Sequence, residues 1–134
     1  MNTYPEPLVM YETENTPYIH LDKEQEIFKI GGKALPENTQ VFFAPVFQWV
    51  DQYIENPNNK TEVAFSFEYL NSSSLKNILI LIKKFDQLHK EGYDVVIHWN
   101  YLEEDEDMYE EGLGFSEEVD VPFEFHEFHD FPKN

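Results

Sequence analysis

The stretch Glu62-Val63-Ala64-Phe65-Ser66-Phe67-Glu68-Tyr69-Leu70 runs straight into Asn71-Ser72-Ser73-Ser74 and then Leu75. Its first nine residues alternate. Val63, Phe65, Phe67 and Tyr69 are expected to point one way, and Ala64, Ser66 and Glu68 the other, the period of a strand with one apolar face. After the serines the period changes. Leu75, Ile78, Leu79, Ile82, Phe85 and Leu88 recur at helical spacing up to Gly92, with Lys83, Lys84 and Lys90 toward the negative end of the helix. Asp94-Val95-Val96-Ile97-His98-Trp99-Asn100-Tyr101 then alternates again. Strand, helix and strand in this order predict two parallel strands joined by a right-handed crossover.

Upstream, Tyr18-Ile19-His20-Leu21-Asp22 and Glu26-Ile27-Phe28-Lys29-Ile30 read as a hairpin turning at Lys23-Glu24-Gln25, with Gly31-Gly32 ending the pair. Leu35-Pro36-Glu37-Asn38 is a helix-start signal. Phe42, Val46, Trp49 and Tyr53 form one helical stripe, and Phe43, Phe47, Val50 and Ile54 a second beside it. Pro45 either kinks that helix or marks its true start, and Asn56-Pro57-Asn58-Asn59 ends it. Downstream, a short helix is expected across the acidic stretch from Glu103 to Glu111, and Pro122-Phe123-Glu124-Phe125 reads as a last, edge strand. The expectation is a single α/β domain: a mixed β-sheet covered by α-helices, over residues 16–126. An N-terminal arm (1–15) and a C-terminal tail (127–134) flank it.

The chain has 134 residues, with 9 Lys+Arg against 27 Asp+Glu, a formal net charge of −18. Phosphates would repel such a polyanion, so nucleic acid and anionic membranes are poor partners. Disorder is disfavoured by 41% hydrophobic and 16% aromatic residues. The absence of cysteine removes disulfides, thiolate metal sites and cysteine nucleophiles. Residues 1–10 lack the basic and apolar regions of a signal peptide, and no apolar run is long enough to cross a membrane, so a cytoplasmic protein is expected.

Catalytic motifs are absent from the sequence. His20, His89, His98, His126 and His129 are dispersed, and no nucleophile elbow, His-Glu-x-x-His or phosphate-binding loop occurs. His98 reads as a sheet-face histidine with a satisfied partner. A small enzyme using His98 and a carboxylate would need a pocket where both converge. His126-x-x-His129, beside Glu127 and Asp130, has the donors for adventitious metal binding. Glu104, Asp105, Glu106 and Asp107 suggest calcium, but counting from Asp105 places Tyr109 and Glu110 where an EF-hand needs an oxygen ligand and glycine. The stretch is therefore either a solvated acidic face or a docking surface for a basic partner.

The most informative place is Asn71-Ser72-Ser73-Ser74. A serine at a strand-to-helix junction caps orphan N–H groups, worth about 1 kcal/mol. Three hydroxyls exceed what one cap needs. A phosphate here would add about −1.5 to −2 charges beside the positive helix end, so the site tolerates phosphorylation while its docking properties change.

These residues also carry a resemblance. Thr16-Pro17-Tyr18-Ile19-His20-Leu21-Asp22, Gly32-Lys33-Ala34-Leu35-Pro36-Glu37-Asn38, Phe42-Phe43-Ala44-Pro45-Val46, Phe67-Glu68-Tyr69-Leu70-Asn71-Ser72-Ser73-Ser74, His98-Trp99-Asn100-Tyr101, Glu104-Asp105-Glu106-Asp107-Met108 and Pro122-Phe123 occur in order across most of the chain. Together they resemble the SiaC family of bacterial regulatory phosphoproteins, STAS-like domains similar to anti-sigma-factor antagonists. The resemblance implies a non-enzymatic partner switch with no cofactor of its own. By this resemblance a cognate Ser/Thr kinase is expected to phosphorylate it, a PP2C-like phosphatase to reverse this, and the unphosphorylated form to activate an output protein such as a diguanylate cyclase, in cyclic-di-GMP and biofilm signalling. By position the acceptor is Ser72, where the family usually has threonine; Ser73 is the second candidate. Asn71, Ser73, Ser74, Glu104, Asp105, Glu106 and Asp107 are the expected partner contacts. Ala34 replaces an expected hydroxyl residue, and Glu26 an expected turn glycine. The alternative is an acidic decoy that inhibits a basic nucleic-acid-binding protein by charge alone.

Overall fold

A computed structural model describes residues 5–132. The outermost residues of the expected arm (1–4) and tail (133–134) lie outside the described residues. The elements are β1 (Leu8–Met10), β2 (Tyr18–Asp22), β3 (Ile27–Ala34), α1 (Thr39–Glu55), β4 (Lys60–Leu70), α2 (Ser72–Lys90), β5 (Asp94–Leu102), α3 (Glu106–Ser116) and β6 (Phe123–Phe128). They build one six-stranded mixed sheet in the order β1-β2-β3-β4-β5-β6. The pairs β1–β2 and β2–β3 are antiparallel, and β3–β4, β4–β5 and β5–β6 are parallel. Each crossover from β3 onward steps the same way. Right-handed crossovers then put all three helices on one face and leave the other open.

The alternation in β4 obeys this. Thr61, Val63, Phe65 and Phe67 are buried under the helices, while Glu62, Ala64, Ser66 and Glu68 face the open side. The core joins them to Ile19, Leu21, Phe28 and Ile30 from the hairpin, Phe43, Val46, Val50 and Tyr53 from α1, and Ile78, Leu81, Ile82 and Phe85 from α2. Trp99 is fully buried between Phe65, Phe67 and Phe115, and its indole N–H donates to the Met108 carbonyl at 2.9 Å. The α3 backbone passes so close that a Cβ at Gly112 would sit 2.5 Å from Trp99 Nε1. Only glycine lets that helix approach the ring.

Three local expectations are corrected. The pairing of β3 with β2 ends at Gly31, opposite Tyr18, but the strand does not stop there and runs on beside β4 to Ala34. A Cβ at Gly31 would meet the Ser66 carbonyl and stand 2.6 Å from the Tyr18 hydroxyl, so the glycine makes room for the tyrosine on the open face. Tyr69 does not share the face of Phe67. Gly32 pairs with Phe67 and Lys33 with Tyr69, so Glu68 is the extra residue of a bulge. The phase shift leaves Tyr69 51% exposed and turns Leu70 inward. Finally, α1 does not start at Pro45; it begins at Thr39 and runs through the proline, which leaves the Val41 carbonyl, in the first turn, without its intrahelical donor.

The arm and loops are tied down by polar contacts. Trp49 Nε1 donates to the Glu6 carbonyl at 2.7 Å, and the Tyr53 hydroxyl shares a 2.7 Å bond with Thr61. Asp86, buried in α2, accepts from the backbone N–H groups of Asp120 and Val121 and pairs with Lys90. Burial opposes its charge, but these bonds win and hold its carboxyl below the ordinary carboxylate range.

Candidate functional site

Parallel strands put their C-terminal ends on one side of the sheet, and there the three helices begin. Asn38 caps α1, accepting from the Val41 N–H; Asn71 caps α2, accepting from Ser74; Asp105 caps α3, accepting from Met108. Three positive helix ends therefore share one edge of a strongly negative molecule. The Ser72 junction follows β4 and the acidic turn follows its neighbour β5, so both lie on this edge.

At the second junction the cap is Asn71, not a serine. Its Oδ1 takes the Ser74 N–H at 2.8 Å, and its own N–H donates to the Ala34 carbonyl at 3.1 Å. Extended geometry at Asn71 (φ −79°, ψ 169°) turns the chain from strand into helix. Ser72, Ser73 and Ser74 are then the first three helical residues. Ser72 is exposed, and its hydroxyl makes no hydrogen bond among the described residues. Ser73 is exposed and its hydroxyl reaches Asn71 Oδ1 at 3.4 Å. Ser74 is fully buried, and its Oγ lacks a partner among the described residues. Its side chain is therefore part of the packed helix entrance and is out of reach of a docking partner in this conformation. Lys76, exposed, follows Ser72 by one helical turn on the same side.

The sequence did not single out the exposed apolar groups here. Tyr69 is turned out by the bulge, Val41 (69% exposed) sits in the first turn of α1, and Ile80 (46%) lies two turns beyond Ser73 on α2. Val41 and Ile80 fall outside the apolar stripes of α1 and α2, while Tyr69 falls within that of β4 and is turned out only by the bulge.

In the acidic turn, Glu104 and Asp107 are exposed, as is Glu106 in the first turn of α3, while Asp105 is half-buried by its capping role. Glu104 takes a left-handed φ of 72°. Glu103 instead faces the tail: its carboxylate meets His129 Nδ1 at 2.6 Å. That bond, with Glu103's charge and then Asp130's, raises the His129 pKa above its ordinary value.

The histidines do not meet as the tail spacing suggested. His126 lies on β6 and His129 beyond it, and they turn to different partners. His126 Nε2 is 2.9 Å from His98 Nδ1, and His98 Nε2 is 2.8 Å from Glu62 Oε1, all on the open face. His98 is thus a sheet-face histidine with its partners satisfied. The bond from His98 holds the Glu62 carboxyl below its ordinary value. A groove of about 460 Å³ on the open face, lined by Glu12, Tyr18, Ser66 and Asp130 among others, does not include His98. No helix of the described residues is long and apolar enough to cross a membrane.

Residues 10–128 match the model of the SiaC family regulatory phosphoproteins. An uncharacterized protein of Pseudomonas aeruginosa strain UCBPP-PA14 is 28% identical over 111 residues, spanning 83% of this chain and 88% of its own. Among solved structures, SiaC of Pseudomonas aeruginosa superposes with a TM-score of 0.83 at 25% identity, covering 92% of this chain and 100% of that one. SiaC from the same organism, as the activator in complex with the diguanylate cyclase SiaD, gives a TM-score of 0.85 at 26% identity over 90% of this chain and 99% of that one.

Proposed function

The chain belongs to the SiaC family of regulatory phosphoproteins, and from that membership we propose that it is a partner switch controlled by phosphorylation of Ser72. Unphosphorylated, it binds and activates an output enzyme, a diguanylate cyclase by analogy with the complex of SiaC and SiaD. A Ser/Thr kinase adds the phosphate from its own magnesium-bound ATP, and a PP2C-like phosphatase removes it. The contact surface is the edge that bears Ser72, Ser73, Lys76, Tyr69, Val41 and the acidic turn 104–107.

One observation carries the choice of residue. Because Asn71 supplies the cap, Ser72 Oγ is solvent-exposed and has no structural task. Ser73, by contrast, already points its hydroxyl at Asn71. A phosphate on Ser72 would stand at a helix N-terminus, where its charge is favourable, so the fold survives and the docking surface alone changes. That surface gains a dianion next to exposed apolar groups, which a partner shaped for an uncharged serine must desolvate.

The test is binding of a diguanylate cyclase of the SiaD type, with intact mass measured after co-expression with a cognate Ser/Thr kinase. One added phosphate, lost in Ser72→Ala, and weaker cyclase binding by Ser72→Asp than by Ser72→Ala are expected. Phosphate elsewhere, or equal binding by both variants, overturns the reading.

A further inference from the structure

The open face of the sheet carries a cluster that phosphorylation does not use. His98 on β5 pairs across the sheet with Glu124 on β6, and His126 lies two residues beyond Glu124 on that strand. Parallel register puts the three side chains on one face, away from the helices. One ligand atom from each lies within 4.8 Å of the others. His98 Nδ1 and His126 Nε2 are 2.9 Å apart, and Glu124 Oε1 is 3.8 Å from both. The ring planes differ by 24° and the centroids are 5.1 Å apart, so the rings meet edge to edge and the two nitrogens face each other.

We propose that His98, His126 and Glu124 form a binding site for a late first-row divalent cation, zinc in the first instance, with water in the fourth position. Zinc bound at about 2.0–2.1 Å to two imidazoles in tetrahedral array holds the nitrogens about 3.3 Å apart. The pair has to part by a few tenths of an ångström and each ring to swing out of line so that both lone pairs meet at the cation, while the half-exposed Glu124 carboxylate closes by a similar distance. Two neutral imidazoles and one carboxylate suit zinc, cobalt or nickel and disfavour calcium and magnesium, which want oxygen alone.

The proton arrangement fits. Glu62, an acceptor, holds the N–H of His98 on Nε2 and so leaves the Nδ1 lone pair facing His126. This is the carboxylate–histidine–metal relay that fixes ring orientation and raises ligand basicity. In the metal-free state a proton on His126 Nε2 bridges the two nitrogens. On binding, the cation takes that place and the proton moves to His126 Nδ1, so the imidazole stays neutral. The net charge of −18 draws any cation toward the molecule.

The experiment is zinc titration of the tag-free full chain by calorimetry, with imidazole-nitrogen NMR and far-UV circular dichroism. One zinc per chain is expected, bound through His98 Nδ1. His98→Gln and His126→Gln, both still folded, should lose at least tenfold in affinity. Glu62→Gln should lose about tenfold, as loss of an outer-shell carboxylate does. His129→Gln is the control and should bind as the wild type does. Absence of zinc binding in the micromolar range, binding unaffected by His126→Gln, or a loss in His129→Gln equal to that in His126→Gln overturns the proposal. Because Glu124 is exposed on an edge strand, Glu124→Gln gives a further arm in which folding is not at risk, with weaker zinc binding expected and unchanged binding counting against the site.

Discussion

Asn71 and Ser74 close the first turn of α2 between them, the asparagine side chain accepting the serine N–H at 2.8 Å. The cap therefore resides one residue before the serine run. Asn71→Ala should cost about 1 kcal/mol, the usual loss for a cap. Ser72→Ala should stay within about 0.5 kcal/mol, as for an exposed residue with no task. Urea denaturation of the two variants checks this; an Ser72→Ala loss as large as that of Asn71→Ala would mean that Ser72 is structural.

Ser74 has the opposite burden. Its hydroxyl is desolvated without a partner among the described residues, a penalty of about 1–3 kcal/mol that folding has absorbed. Ser74→Ala should therefore be neutral or stabilising by about 1 kcal/mol, whereas most buried substitutions destabilise. A clear drop in melting temperature would show that the hydroxyl finds a partner after all.

A phosphate on Ser72 adds a test that separates regulation from unfolding. At the first helical position it meets the positive helix end, and Lys76 is its neighbour one turn on. Phosphorylation should leave helicity intact and raise stability by about 1 kcal/mol at low salt. Lys76→Ala should reduce that gain by about 0.3–0.5 kcal/mol, and added salt should shrink it further. Denaturation of kinase-treated and untreated protein makes the comparison; loss of helix signal on phosphorylation would contradict the account.

The hairpin turn holds a strained residue. Glu26 adopts a φ of 58°, in the left-handed region that costs an L-residue about 1 kcal/mol. Its N–H still closes the turn on the Lys23 carbonyl, so the backbone has a reason to stay there. Glu26→Gly should stabilise by about 0.5–1 kcal/mol, while Glu26→Ala, which keeps a Cβ, should not. Equal effects of the two would remove backbone strain as the cause.

That turn also shows what the residues disclose unaided. The departure from an expected glycine at position 26 coincides with a left-handed backbone, so a comparison of residue types exposed a conformation. The strand-helix-strand unit was equally readable, because periods of two and 3.6 residues are imposed locally by the pleat and the helix. The bulge at Glu68 was not. It is set by pairing with Lys33, about 35 residues away in the chain, and a one-residue slip reverses every side chain beyond it. His98 and His126 were likewise visible separately, but their meeting depends on the register of β6 on β5, which no local pattern contains. The cap was misassigned for a subtler reason: asparagine and serine are nearly equal as caps, so their order at a junction carries little information.

Asp86 supplies the pH dependence. It is buried on α2, yet its carboxylate accepts the N–H groups of Asp120 and Val121 at 2.9 and 2.8 Å, and Lys90 reaches it at 3.2 Å. Burial alone would raise its pKa; the two backbone bonds and Lys90 more than offset this, so the folded value lies below the unfolded one. A depressed carboxyl contributes stability that is complete above the unfolded pKa and disappears as pH falls through the folded pKa. Asp86→Asn retains one acceptor oxygen and loses the charge. Its deficit relative to wild type should be about 1–3 kcal/mol and constant from pH 7 to about 5, then narrow as pH drops below about 4. Asp86→Ala leaves both N–H groups without their acceptor, and should lose more at every pH and retain a deficit in acid. Urea titrations across this range measure the differences; a deficit for Asp86→Asn that widened toward low pH would show that burial, not the hydrogen bonds, controls the group.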